Sequence, residues 1–236
     1  MPKEEKGSTV IVACRVMEPE LEFVRAQNPD VEIRYLDQGL HRTPDKMAAL
    51  VQEQIDDAMH YAGRVVLGYG LCSNGIVGVE ARRHGLLVPQ CHDCIAFFMG
   101  SLEAHKKAFE ERPGTYYLTH GWITERKDPL SIVEEEYMQR FDRETSVWVM
   151  EEELKHYTHI VLINTGVGHL EKPRERAIEN ARFFKKQYEE IQGNLDYFRK
   201  LVGGPYTDQD FFSLPPCQAV TQEMFLENGQ GAKESF

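Results

Sequence analysis

This chain of 236 residues lacks most of the features that assign a protein quickly. It has no run of about 18 apolar residues, so no membrane span is expected. Its first residues, MPKEEKGST, are polar and mixed in charge, with no apolar signal-type stretch before the first strand. A cytoplasmic protein is expected. Basic residues are in deficit: 27 Lys and Arg against 38 Asp and Glu, a net charge of −11. That argues against a general nucleic-acid binder, which presents a basic face. There is no internal repeat and no low-complexity linker. Cysteine is scarce and odd in number, at five. In a reducing compartment this argues against structural disulfides and shifts weight to metal or catalytic roles.

What is present suits a soluble globular protein: 42% hydrophobic and 28% charged residues. The length allows one large domain or two small ones. We read residues 1–8 as a flexible start, 9–228 as a single α/β domain with a possible boundary near 125, and 229–236 as a flexible tail.

The first half alternates short apolar runs with helical patterns. Strands are expected at Val10 to Cys14, Val31 to Leu36, Arg64 to Tyr69, Leu86 to Pro89 and Thr115 to Thr119. Between them, helices are expected at Pro19 to Gln27, Pro44 to Tyr61, Asn74 to His84 and Cys94 to Arg112. In the second helix Met47, Leu50, Val51, Ile55, Ala58 and Met59 recur at helical spacing, and Thr43 is placed to cap it. This rhythm predicts a doubly wound, mostly parallel, Rossmann-like sheet. A more helical part follows, with helices at Pro129 to Phe141, Glu151 to Tyr157, Arg174 to Ile191 and Leu195 to Leu201. One further strand is read at Ile160 to Asn164, and it is open whether it joins the first sheet.

The scarce cysteines sit where that fold would use them. Cys14, Cys72, Cys91 and Cys94 each fall at the exit of an expected strand. Strand exits converge on one edge of a parallel sheet, and ligands bind there. In GYGLCSNG, Gly70 and Gly75 suit a tight turn. Cys72 would stand near a helix N-terminus, where a thiolate is favoured, and Ser73 and Asn74 could cap that helix. The segment lacks the GxGxxG and GxxxxGK[ST] spacings, so no nucleotide site is inferred. In CHDC, Cys91 and Cys94 are soft ligands and His92 a borderline one. With Cys72 they would leave one open position on a catalytic metal, zinc by default. An iron–sulfur cluster also takes three or four thiolates. Asp93 is a candidate general base, a group that orients His92, or a helix cap. His120, in THGW, and His41 could reach the same rim. The plain alternative is a glycine-lined turn with buried cysteines, which are common.

These segments, GYGLCSNGIVGVEA and PQCHDCIAFFMGS above all, resemble the DUF1638 family. ACRVMEPEL, LHRTP, GTYYLTHGW and INTG add to it, so the resemblance runs from about Ile11 to Pro215. The characteristic residues carried over are Cys72, Asn74, Gly75, His92, Asp93 and Cys94, with Cys14 matching too. If Cys91 stands outside that pattern, Cys72, His92 and Cys94 are the better metal trio. Arg15 departs from the small residue the family leads one to expect. The resemblance implies an association with corrinoid-dependent methyl transfer from methylated amines and related compounds.

Three functions therefore stand open. One is a metal-thiolate protein in corrinoid-linked one-carbon transfer, as an enzyme or an accessory factor. Another is a non-catalytic protein that binds a small molecule, holds a corrinoid, or docks on a corrinoid protein or methyltransferase. The third is a redox protein using Cys91 and Cys94 or a cluster.

Overall fold

The computed structural model describes residues 8–39 and 44–226. Thr43, His41 and, apart from residue 8, the expected flexible ends lie outside these residues. Two sheets organise the chain. The larger joins β1 (Thr9–Cys14), β2 (Val31–Leu36), β3 (Arg64–Gly68), β4 (Leu86–Pro89) and β8 (Phe211–Leu214) in the order β2-β1-β3-β4-β8. β1 pairs in parallel with both β2 and β3, so Ile11 stands between Ile33 and Val66. β8 closes the edge, antiparallel to β4. Central strands of such a sheet are covered on both faces and lose alternation. Accordingly β1 is buried along Val10–Cys14 without a break.

The smaller sheet is β5 (Thr115–Leu118), β6 (His159–Asn164) and β7 (Gln187–Gln192), all parallel, with β6 in the middle. Both sheets together make the mixed, mostly parallel α/β architecture that the alternation of the sequence implies. Helix α1 (Glu18–Arg25) follows β1, and α2 (Pro44–Ala58) follows β2, burying Met47, Val51, Ile55 and Ala58 along one stripe. Among the described residues, no helix is long and apolar enough to cross a membrane.

Several elements differ from the sequence reading. Residues 74–84 form turns and no helix. The stretch from Cys94 to Arg112 is two helices, α3 (Ile95–Met99) and α4 (Leu102–Glu111), separated at Gly100 with φ 85°. Ser101 then caps α4, accepting a hydrogen bond from the Ala104 amide at 3.1 Å. β5 and β6 do not extend the first sheet. Helix α5 (His120–Thr124) follows β5, and α6 (Pro129–Glu135) stops short of Phe141. Helix α7 spans Arg143–Glu153, where a helix at Glu151 to Tyr157 was expected. The helix read from Arg174 to Ile191 ends with α8 (Glu171–Phe183); Tyr188 and Ile191 belong to β7, after a turn at Lys185 with φ 55°. Helix α9 (Asp196–Gly203) matches its expectation; β8 and the short α10 (Glu223–Phe225) were not anticipated.

The two sheets meet through the segments that leave β1. Gly121 of α5 lies so close to the 3-10 turn Arg15–Met17 that an added Cβ would collide with the Val16 carbonyl. Thr165, just past β6, donates its hydroxyl to Glu20 of α1 at 2.8 Å. Asn194, just past β7, donates its amide to the Phe98 carbonyl of α3 at 2.9 Å. The C-terminal ends of the parallel strands in both sheets therefore converge.

Candidate functional site

Where strand order reverses in an open α/β sheet, the loops diverge and leave a crevice at the C-terminal ends. The order β2-β1-β3-β4 places that point between β1 and β3. Cys14 ends β1, and Tyr69 to Cys72 leave β3 beside it. The next strand exit is drawn in as well. The Leu71 amide donates to the Cys91 carbonyl and the Cys72 amide to the His92 carbonyl, both at 2.8 Å, so GYGLC and CHDC run side by side. Gly70 permits this approach: a Cβ there would stand 2.7 Å from the Cys91 carbonyl oxygen and 2.9 Å from the Asp93 nitrogen.

The turn that holds Cys72 is unusual. Cys72, Ser73 and Asn74 have φ of 48°, 55° and 66°, three consecutive non-glycine residues in the left-handed region. That conformation costs roughly 1–2 kcal/mol per residue. Gly75 N–H to the Cys72 carbonyl, at 3.0 Å, closes the turn. Ser73 and Asn74 are exposed, and Gly75 is buried. With no helix here, neither the dipole argument for Cys72 nor the capping role of Ser73 and Asn74 survives. Backbone held in sparsely populated regions concentrates at functional sites.

The Cys72 and Cys94 side chains interact as a hydrogen-bonded thiol pair. That contact, then burial, pushes the Cys94 thiol well above its usual range, with Cys14 also contributing. Tyr69, fully buried, has its hydroxyl pushed far up by burial and then by Cys14, Cys72 and Cys94. Three thiols and a phenol thus share one spot, all at least 95% buried. Contact with Cys72 and burial favour the neutral form of the Cys94 thiol.

The remaining expected residues are dispersed around this centre. Cys91 is buried and its thiol is pushed up, first by burial and then by Cys72; it also acts on Tyr197. The His92 ring tilts against Phe225 at 6.1 Å between centroids, and its Nε2 is buried with no hydrogen-bond partner. Asp93 precedes Cys94, the N-cap residue of α3: its Oδ1 accepts from the Ile95 amide at 2.9 Å, and Oδ2 stands 3.7 Å from His105 Nε2. Among the described residues, no group of three or more His, Cys, Asp or Glu side chains is arranged to hold a metal ion. Arg15 turns to Glu18 at 3.2 Å and over the Tyr35 ring, along the rim.

His120 lies on the other sheet's edge. Its ring fills the space beside Gly168, and its Nδ1 is buried without a hydrogen-bond partner. Burial lowers its pKa, against a backbone hydrogen bond with Val167 that raises it. Glu20 was not anticipated. It is fully buried, one oxygen bonded to Thr165 and the other without a hydrogen-bond partner, and burial pushes it up to about 7. The available signal was its place on the inner face of α1, beside Leu21 and one turn before Val24.

Fold and site together define a mostly parallel α/β protein with a buried thiol centre at the C-terminal edge of its larger sheet. The chain belongs to the DUF1638 family: the model for "Protein of unknown function (DUF1638)" matches residues 35–202. Cys72, Cys91 and Cys94 lie inside that span and Cys14 before it. No curated protein and no solved structure matches the chain.

Proposed function

We propose that this protein carries out thiol-dependent chemistry at the Cys14, Cys72 and Cys94 centre, on a small molecule or ion that enters at the joined strand ends. The observation that supports this is the contact of Cys72 with Cys94, presented by a strained turn beside a third thiol and Tyr69. A buried free cysteine is ordinary; three from three strand exits, on a turn that costs strain, ask for a functional reason.

In its first form the centre binds a soft metal ion, zinc before others. The donor chemistry suits such an ion; the present arrangement is not a ready ligand shell. Cys14, Cys72 and Cys94 would hold it. Neutral thiols must first give up their protons, so uptake would rise with pH. When bound, such an ion keeps a thiol nucleophilic near neutral pH. That chemistry is compatible with corrinoid-linked methyl transfer, whether the protein is the enzyme or an accessory factor.

Metal and acid-labile sulfide content of anaerobically purified protein tests this form. Near-stoichiometric zinc, lost in Cys14→Ser, Cys72→Ser and Cys94→Ser but kept in Cys217→Ser, is the expected result; Cys217 is exposed and remote in sequence. Iron with sulfide would replace zinc by a cluster. A folded protein that takes up no metal, and whose ligand binding ignores all three cysteines, would sink the proposal.

A further inference from the structure

Cys72 and Cys94 offer a chemistry that needs no metal. They belong to different strand exits, and the two segments are fastened together by the Leu71–Cys91 and Cys72–His92 backbone hydrogen bonds. Their side chains are already in contact. The pairing expected from the CxxC spacing, Cys91 with Cys94, is not the one the fold brings together.

We propose that Cys72 and Cys94 form a reversible disulfide by exchange with a small disulfide. The inference deepens the thiol-centre reading and shares its residues, without needing the metal. In the first step the Cys72 sulfur attacks one sulfur of the small disulfide. The S–S bond breaks, one small thiol leaves with the proton that Cys72 gives up, and a mixed disulfide remains. In the second step the Cys94 sulfur attacks the Cys72 sulfur. The mixed bond breaks, and the second small thiol leaves with the Cys94 proton. Two protein thiols are oxidised by two electrons, and one small disulfide is reduced to two thiols.

Cys72 is the entering thiol because its turn continues into exposed Ser73 and Asn74, whereas Cys94 opens the buried helix α3. With both thiols almost covered, attack requires that turn to open locally. Thiolate is the attacking species in both steps.

The test uses the full chain with Cys217→Ser, which removes the exposed thiol. Reduced, metal-free protein is treated with oxidised glutathione, and its mass and cysteine-containing peptides are followed. The expected result is loss of two hydrogens, a Cys72–Cys94 linked peptide, and reversal by a dithiol reductant. Cys91→Ser should still close, while Cys94→Ser should stop at the mixed disulfide on Cys72. A linked peptide joining any other pair, or no loss of hydrogen under native conditions, overturns the inference; mapping of the unsubstituted centre decides even if Cys94→Ser fails to fold. Zinc uptake without a Cys72–Cys94 bridge would overturn this inference and leave the thiol centre standing. A bridge in protein that takes no metal would support it and remove the metal form.

Discussion

A single carboxyl shows how the site departs from ordinary packing. Glu20 is fully buried at the junction of the two sheets, with Thr165 as the hydrogen-bond partner of only one of its oxygens. Burial holds its folded pKa at about 7, against an ordinary value of 4.5. The folded state therefore favours the protonated form. As pH rises above 4.5 the unfolded chain ionises first, and stability falls until pH passes 7. The full loss is about 3 kcal/mol, from roughly 1.4 kcal/mol per unit. Glu20→Gln keeps a neutral group of the same shape. It should flatten this part of the profile and be more stable than the parent at pH 8, with little difference at pH 4. Denaturant titrations at both pH values check this; parallel profiles would show that Glu20 is not the titrating group. The residue was invisible to motif reasoning because one acidic side chain in a helix rich in Glu reads as solvated. Only its neighbours on the buried face distinguish it from Glu18 and Glu22.

At the scale of elements, the approach of GYGLC to CHDC depends on the missing side chain at position 70. In Gly70→Ala the added methyl would meet the Cys91 carbonyl and the Asp93 backbone, which are not flexible side-chain ends. We expect a loss of roughly 2 kcal/mol from overpacking. Cys72 should also move away from Cys94, slowing disulfide closure more than the stability loss explains. Thermal unfolding together with the exchange rate would separate the two effects. A different element depends on a buried ion pair. Asp128 caps α6 by accepting from the Ser131 amide at 3.2 Å, and is bound by Arg176 at 2.9 Å and Asn180 at 2.7 Å from α8. Asp128→Ala leaves Arg176 and Asn180 without that buried partner. A cost of about 3 kcal/mol is expected, in line with buried pairs that lose one member. Because the pair joins the start of α6 to α8 and touches none of the thiol residues, the reduced protein should retain its Cys72–Cys94 exchange at temperatures below the lowered midpoint.

Across the molecule, the legible parts were those with short-range signals. β1, β3 and α2 announced themselves by unbroken apolar runs or helical spacing, and Cys14, Cys72, Cys91 and Cys94 do fall at or just past the ends of β1, β3 and β4. What failed needed long-range information. β7 carries Tyr188 and Ile191 at positions that also extend the α8 stripe, so periodicity could not separate helix from strand. The helix expected after Asn74 gave way to a left-handed turn, which propensity does not foresee. The partner of Cys94 lies 22 positions upstream, whereas local spacing favoured Cys91. Nor could local patterns show that β5 starts a second sheet, whose strand ends face those of the first. That junction gives the last prediction. Gly121 packs on the Val16 carbonyl two residues after Cys14, and Trp122 meets Phe98 edge to face at 6.0 Å between centroids. If the sheets unfold as one unit, Trp122 fluorescence and the accessibility of the buried thiols should change together. Trp148 is exposed, and Trp148→Phe isolates the signal. Gly121→Ala should shift both transitions downward by several degrees and keep them coincident. Thiols that became reactive before the Trp122 signal moved would instead show the larger sheet opening alone, and the thiol centre would then belong to that sheet without help from the second.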